Sequence, residues 1–218
     1  SMRHIALAVT AAFAVAGCAV TNTPYPAPSR TVYQPPPPNQ YTSQRAPLQS
    51  QLFACNGGGG SNIGDIGASA EVLRYTPYVN TPAGALLRNP TDVACLSSGF
   101  GWRGTATGGG RQHSGLDLAN RQGGFVYAAG QGWISAVEWR GGYGLVVEID
   151  HGRGVRTLYA HLNEADPNLR TGMPVEAGAA IGLMGMTGNA TGVHLHYEIN
   201  VDGVQVDPLA YGAEEQVS

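Results

Sequence analysis

Lysine is absent: all twelve basic residues are arginine, and charged residues make up only 12% of the 218. With a formal net charge of −3, the chain lacks the broad basic footprint of a nucleic-acid binder. Cysteine is scarce, at three residues. The apolar run over residues 5–16 is too short to span a bilayer comfortably. A long apolar stripe at helical period is also missing. What the chain has instead is 32 glycines and 14 prolines, which mean many turns and a loop-rich β protein. The length suits one folded domain with accessory segments rather than two large cores.

The amino-terminal run follows Arg3 and ends in Val15-Ala16-Gly17-Cys18, which resembles a bacterial lipobox. Residues 1–17 then form a signal peptide, and Cys18 becomes the lipidated residue of an exported protein. An ordinary secretory signal or a buried helix is the alternative. Two cysteines remain, Cys55 and Cys95, an even pair that suits a disulfide in an oxidising compartment. Closing that loop would contribute about 4 kcal/mol in the chain-entropy model. Two free buried thiols are the other option.

Residues 18–50 hold the lipidated cysteine and, after it, eight of the fourteen prolines with only two charges. Such a stretch reads as an extended tether, and at about 3.1 Å per residue it reaches on the order of 90 Å. Residues 51–93 read as a small elaboration, with a glycine run at 57–60, a short helix expected over 68–75 and a possible disulfide pin. From 94 to 213 the grammar is short strands with turns, and 214–218 form a tail. β-Branched and aromatic residues mark strands at 125–129, 132–139, 145–150, 155–161 and 194–201. His151 to Gly154 reads as one hairpin loop, with His151 on the surface, and Asp202-Gly203 signals another. The expectation is an all-β domain of about 120 residues.

Within it, His194-Leu195-His196 puts two imidazoles on one face of a strand and Leu195 on the other. Alone, that pair is a weak metal signal. His113 and Asp117, four residues apart, add a second imidazole source and a carboxylate. A donor set of two nitrogens and one oxygen leaves a fourth position open, the pattern of catalytic rather than structural zinc. Glu198 continues the alternation, either to orient a ligand imidazole or as a solvent-facing carboxylate. Tyr143 and Trp139 flank Gly141-Gly142 and either line a groove or pack in the core.

Five pieces in order then carry a resemblance. They are Ser98-Gly99-Phe100-Gly101-Trp102-Arg103, His113 with Asp117, Ile149-Asp150-His151-Gly152, Tyr159-Ala160-His161-Leu162, and the run from Thr187 to Glu198. This span is similar to the lysostaphin-type (LytM-like) zinc metallopeptidases. The resemblance implies an antiparallel β-sheet groove, one zinc ion, and cleavage of peptide bonds in peptidoglycan cross-links. Position by position it implies His113, Asp117 and His196 as ligands and His161 and His194 as catalytic, non-ligand histidines. Val193 departs from the proline common before the first of the pair. With a lipobox and a tether, the expectation is an outer-membrane lipoprotein facing the periplasm, cutting D-alanyl–diaminopimelate bonds in peptidoglycan peptide stems. Its membrane contact would be through the lipid alone. A wall-binding activator of another hydrolase is the competing reading. Residues 52–93 are expected to limit access to the zinc, with Asn56 or Asp65 reaching its open position.

Overall fold

The computed structural model describes residues 39–57, 60–104 and 109–212. The chain divides into two units, Ser1–Pro35 and Pro36–Ser218. The expected signal segment, Cys18, the expected tether up to residue 38 and the tail from 213 onward lie outside the described residues.

The second unit is all-β. Its strands begin with a hairpin of β1 (Tyr78–Thr81) and β2 (Gly84–Leu87), followed by β3 (Cys95–Ser98). A second hairpin pairs β4 (Gly101–Gly104) with β5 (Gly110–His113). Next come β6 (Leu116–Ala119), β7 (Phe125–Tyr127), β8 (Gly132–Trp139), β9 (Leu145–Gly152) and β10 (Val155–Leu162). The chain ends with β11 (Glu164–Ala165), β12 (Pro174–Val175), β13 (Ala180–Leu183), β14 (His194–Val201) and β15 (Val204–Val206). Among the described residues the helical pieces are two 3₁₀ turns, Cys55–Gly57 and Gly141–Tyr143.

One antiparallel sheet runs in the order β12-β8-β9-β10-β14-β6-β3, with β15 added on β14. Strand β14 has β10 along one side. On the other side it faces β6 with its first half and β15 with its second. Leu195, Tyr197 and Ile199 alternate into a core shared with Leu116, Leu118, Val147, Ile149 and Tyr159. Burying each such side chain stabilises by about 1.5–3 kcal/mol, and this fixes the strand's register. A slip of one residue would send the histidines inward and the leucine outward. The hairpin at Asp202-Gly203 has both residues at positive φ, as a tight two-residue turn requires. The other hairpin turns at Arg153-Gly154, also both at positive φ.

Three expectations are corrected here. First, residues 39–50 are not an extended tether but lie on the domain. Tyr41 is buried, sets its ring edge-on to Phe125 at 5.7 Å, and donates to Glu164 at 2.7 Å. Ala46 N–H donates to Gly178 O, and the Gln49 amide to Thr91 O. The prolines concentrate before residue 39, and this later half carries the aromatic anchor. Second, residues 68–75 form no helix. Ala70 and Arg74 sit at φ +62° and +60°, and the segment bridges back instead, with Ala54 N–H on Ala70 O and Val72 N–H on Leu52 O. Third, His151 is not a surface turn residue: it lies within β9, one residue before its end, and is half-buried, with both ring nitrogens engaged. Cys55 and Cys95 are joined by a disulfide.

Candidate metal centre

Strand pairing brings the expected site residues together. His196 on β14 lies opposite Asp117 on β6, and His113 arrives from the end of β5. The turn between His113 and Asp117 passes so close to β14 that a Cβ on Gly115 would stand 2.2 Å from Tyr197 O; only glycine fits there. His113 and His196 are both 5% exposed.

The ligand atoms converge. His113 Nε2 lies 3.0 Å from Asp117 Oδ1 and 3.0 Å from His196 Nδ1, which is itself 2.9 Å from the same carboxylate oxygen. The tautomers follow from the opposite ring edges. His113 Nδ1–H donates to Gly99 O at 2.6 Å, and His196 Nε2–H donates to Glu198 Oε1 at 2.9 Å. Two ring nitrogens and a carboxylate oxygen therefore face one another at a single point. That arrangement is unfavourable unless a cation sits among them. A tetrahedral ion with bonds of about 2.0–2.1 Å holds its ligand atoms about 3.3 Å apart, close to the distances seen. The residues fit a zinc-type ion.

Electrostatics agree. Burial pushes His196 down, but Asp117 and Glu198 push it up, and the balance is upward. Positive charge is favoured at that spot. Burial likewise opposes charge on Asp117, yet His113 and His196 outweigh it and hold the carboxyl well below its ordinary range. Glu198, buried, is held down by His196, Ser114 and Tyr143 against the upward push of burial. Its Oε1 accepts from the Ser114 hydroxyl, from the Tyr143 hydroxyl at 2.8 Å and from His196. Between the two options for Glu198, the geometry is that of a residue orienting His196. Tyr143 belongs to the site, its ring 5.6 Å from that of His196, while Trp139 is 69% exposed.

His161 and His194 stand beside the triad with ring centroids 4.7 Å apart. Each has its Nδ1 tied to a carbonyl at 2.8 Å, His161 to Thr187 and His194 to Gly192. That leaves both Nε2 atoms as lone pairs. His194 Nε2 is 3.7 Å from Asp117 Oδ1. Burial, with His194 and His196 adding, pushes His161 down, and it stays neutral near neutral pH. Strict alternation after Tyr159 in the main core and Ala160, buried on the opposite face with Val146 and Leu158, would have turned His161 inward. A register shift against β9 and a φ of +61° at His161 re-aim it, a bulge placed at a functional site.

Sequence reasoning assigned no role to Arg103, whose Nη2 donates to Asp117 Oδ2 at 2.6 Å. The pair is largely shielded from solvent. It leaves Oδ1 as the free oxygen of that carboxylate. The only sequence signal was its place in the motif before His113.

An antiparallel sheet carrying an N, N, O donor triad with two further imidazoles beside it has the build of a catalytic metal site. Residues 111–208 match Peptidase family M23, and the chain carries a domain of that family. It is similar to the DD-carboxypeptidase/endopeptidase Mpg of Neisseria meningitidis serogroup B, 44% identical over 103 residues, which are 46% of this chain and 23% of that protein. It is similar as well to the peptidoglycan DD-endopeptidase ShyC of Vibrio cholerae, 36% identical over 126 residues, 57% of this chain and 29% of that one. Among solved structures, a zinc containing peptidase from Vibrio cholerae superposes with a TM-score of 0.54 at 30% identity, covering 61% of this chain and 45% of that chain. The chain thus spans less than a third of the length of either curated relative.

Proposed function

We propose that this protein is a zinc-dependent endopeptidase that hydrolyses peptide cross-links of bacterial peptidoglycan. The observation that carries the reading is the convergence of His113 Nε2, His196 Nδ1 and Asp117 Oδ1, with His194 and His161 alongside, each tied to a carbonyl through Nδ1. A zinc ion held by His113, Asp117 and His196 would supply Lewis acidity at the scissile carbonyl and acidify the attacking water. His194, adjacent to the triad, accepts a proton at Nε2, and its Nδ1–H bond to Gly192 O keeps that nitrogen aimed inward. Neutral His161, fixed by Thr187 O, offers its Nε2 edge to the developing oxyanion or relays the proton. Arg103 and Glu198 hold Asp117 and His196 in place throughout.

The names of the similar proteins support a bond between two D-configured centres, and D-alanyl–diaminopimelate is the one we propose. The lipobox ending in Cys18, the disulfide and the proline-rich stretch support an exported, lipid-anchored protein at the outer membrane facing the periplasm. Among the described residues, no helix is long and apolar enough to cross a membrane.

Mass spectrometry of sacculi digested by the purified protein tests both reaction and bond. Expected is conversion of cross-linked muropeptide dimers to monomers, stopped by a chelator and restored by zinc. Zinc-loaded, folded protein that binds sacculi yet releases no cleaved peptide would refute the enzyme and favour the activator.

A further inference from the structure

The segment before the sheet lies on the edge strand β3 and on the corner that follows it, and that corner aims two of the metal ligands. Leu96 N–H donates to Phe53 O at 2.8 Å, and Ala54 bridges Leu96 in parallel. The Cys55–Cys95 disulfide sits beside that bridge. Ser61 bridges Ser98, and Ser61 O accepts from Gly99 N–H at 2.8 Å and from the Ser98 hydroxyl at 3.3 Å. Asn62 Nδ2 donates to Trp102 O at 2.7 Å. The contact is close-packed: a Cβ on Gly99 would stand 1.7 Å from Asn62 O, and one on Gly60 would stand 2.2 Å from Ser97 O.

The other side of the same strip faces the site. Gly99 O receives His113 Nδ1–H, the Ser97 hydroxyl donates to Asp117 O at 3.0 Å, and Arg103 donates to Asp117 Oδ2. Ser98 lies opposite Asp117 across the β3–β6 pairing. A single residue, Gly99, is therefore held from outside by Ser61 through its N–H and holds His113 on the inside through its carbonyl.

We infer that residues 53–56 and 60–62, pinned by the disulfide, form a positioning element that fixes His113 and Asp117 for metal binding. They are not a lid over the site. An edge strand without such a partner leaves its outward backbone groups to water, and a carbonyl that drifts no longer sets the tautomer and angle of the imidazole it orients. This inference rests on the metal-site reading of the proposed function. Because it is read by metal retention rather than hydrolysis, the two fail in different assays.

The test uses the full chain. Zinc affinity is measured by chelator competition, and the ligand field is read from the visible spectrum of the cobalt(II)-loaded protein. The proteins are the oxidised wild type, Cys55→Ser/Cys95→Ser, Gly99→Ala, and the three changes combined. Gln49→Ala, which loosens residues 39–50 without touching the strip, serves as the control. Expected is zinc binding about 10- to 100-fold weaker in the cysteine pair variant and in Gly99→Ala, with altered cobalt bands and an unchanged control. The combined variant should be less than additive, because both changes act through one contact. Should the cysteine variant not fold, Gly99→Ala alone decides. Affinity within about twofold of wild type and unchanged cobalt bands in the folded variants would overturn the inference, and so would full additivity.

Discussion

Four imidazoles crowd one end of the sheet, and what separates their roles is the acceptor on the far nitrogen. Glu198 takes the Nε2–H of His196, so that residue turns Nδ1 inward, whereas Gly99, Thr187 and Gly192 take Nδ1–H from His113, His161 and His194. Only His113 and His196 bring their free nitrogens within 3.0 Å of Asp117 Oδ1. Replacing either with alanine should therefore remove zinc and abolish hydrolysis. Replacing His194 or His161 should leave zinc bound and lower turnover by roughly 10²- to 10⁴-fold, the scale of a lost proton-transfer group. Metal analysis beside a rate assay separates the two classes; a metal-loaded, active His196→Ala protein would sink the ligand assignment. Much of this was legible, because His194, His196 and Glu198 obey the two-residue period of a strand. His161 was legible only through resemblance, since its bulge breaks the alternation on which residue-level reasoning depends. Arg103 was not legible at all: its partner, fourteen residues on, is reached only after the β4–β5 hairpin folds back.

At the level of elements, the strands with strong β-branched patterns appeared where composition placed them, β8 and β14 with the expected limits. The short helix at 68–75 failed because two left-handed residues and backbone pairing with residues 52–54 outcompeted a weak local preference. His151 shows how a motif residue can serve the elements rather than the chemistry. Its Nδ1–H donates to Gln131 O at 2.7 Å ahead of β8, and its Nε2 meets the buried Thr157 hydroxyl of β10 at 2.8 Å. Thr157 in turn contacts the Tyr159 hydroxyl, which accepts from Ala129 N–H. One ring thus ties β9 and β10 to the chain just ahead of β8. Burial pushes its pKa below the ordinary value, only partly opposed by Gln131 and Asp150. The unfolded chain thus takes up this proton first as pH falls. The stability His151 contributes is whole above about 6.5, the unfolded value, and is lost as pH falls from there through the lower folded value. Thermal unfolding from pH 8 to 5 should show wild type falling more steeply than His151→Gln. Parallel curves would remove His151 from that role.

For the whole molecule, the family match over 111–208 covers less than the structure needs. Leu52, Ile63, Val72, Val79, Leu86 and Leu87 belong to the same buried cluster as Leu116, Leu195 and Tyr197. The Tyr197 hydroxyl, under the metal site, donates to Leu87 O at 2.9 Å. A glycine run and low charge made residues 51–93 look like an appendage in the sequence. Their apolar residues are too widely spaced to show a period, and only the fold collects them against the sheet. A domain cut to begin at Ala94 would lose the disulfide, the partner of β3 and this cover at once. At about 1.5–3 kcal/mol for each large side chain left uncovered, a handful of such losses matches the about 5–15 kcal/mol by which a domain is stable at all. The cut chain should therefore be unfolded or aggregated at 37 °C, with lost near-ultraviolet circular dichroism. The full mature chain should melt cooperatively. Were residues 52–93 a lid, the cut domain would instead fold, keep its zinc and hydrolyse small peptide substrates faster than the full chain. A soluble, zinc-loaded domain with a raised kcat/KM would thus reverse the assignment of this segment from support to gate. Loss of structure together with loss of zinc is the outcome that the shared core and the Ser61–Gly99–His113 relay require.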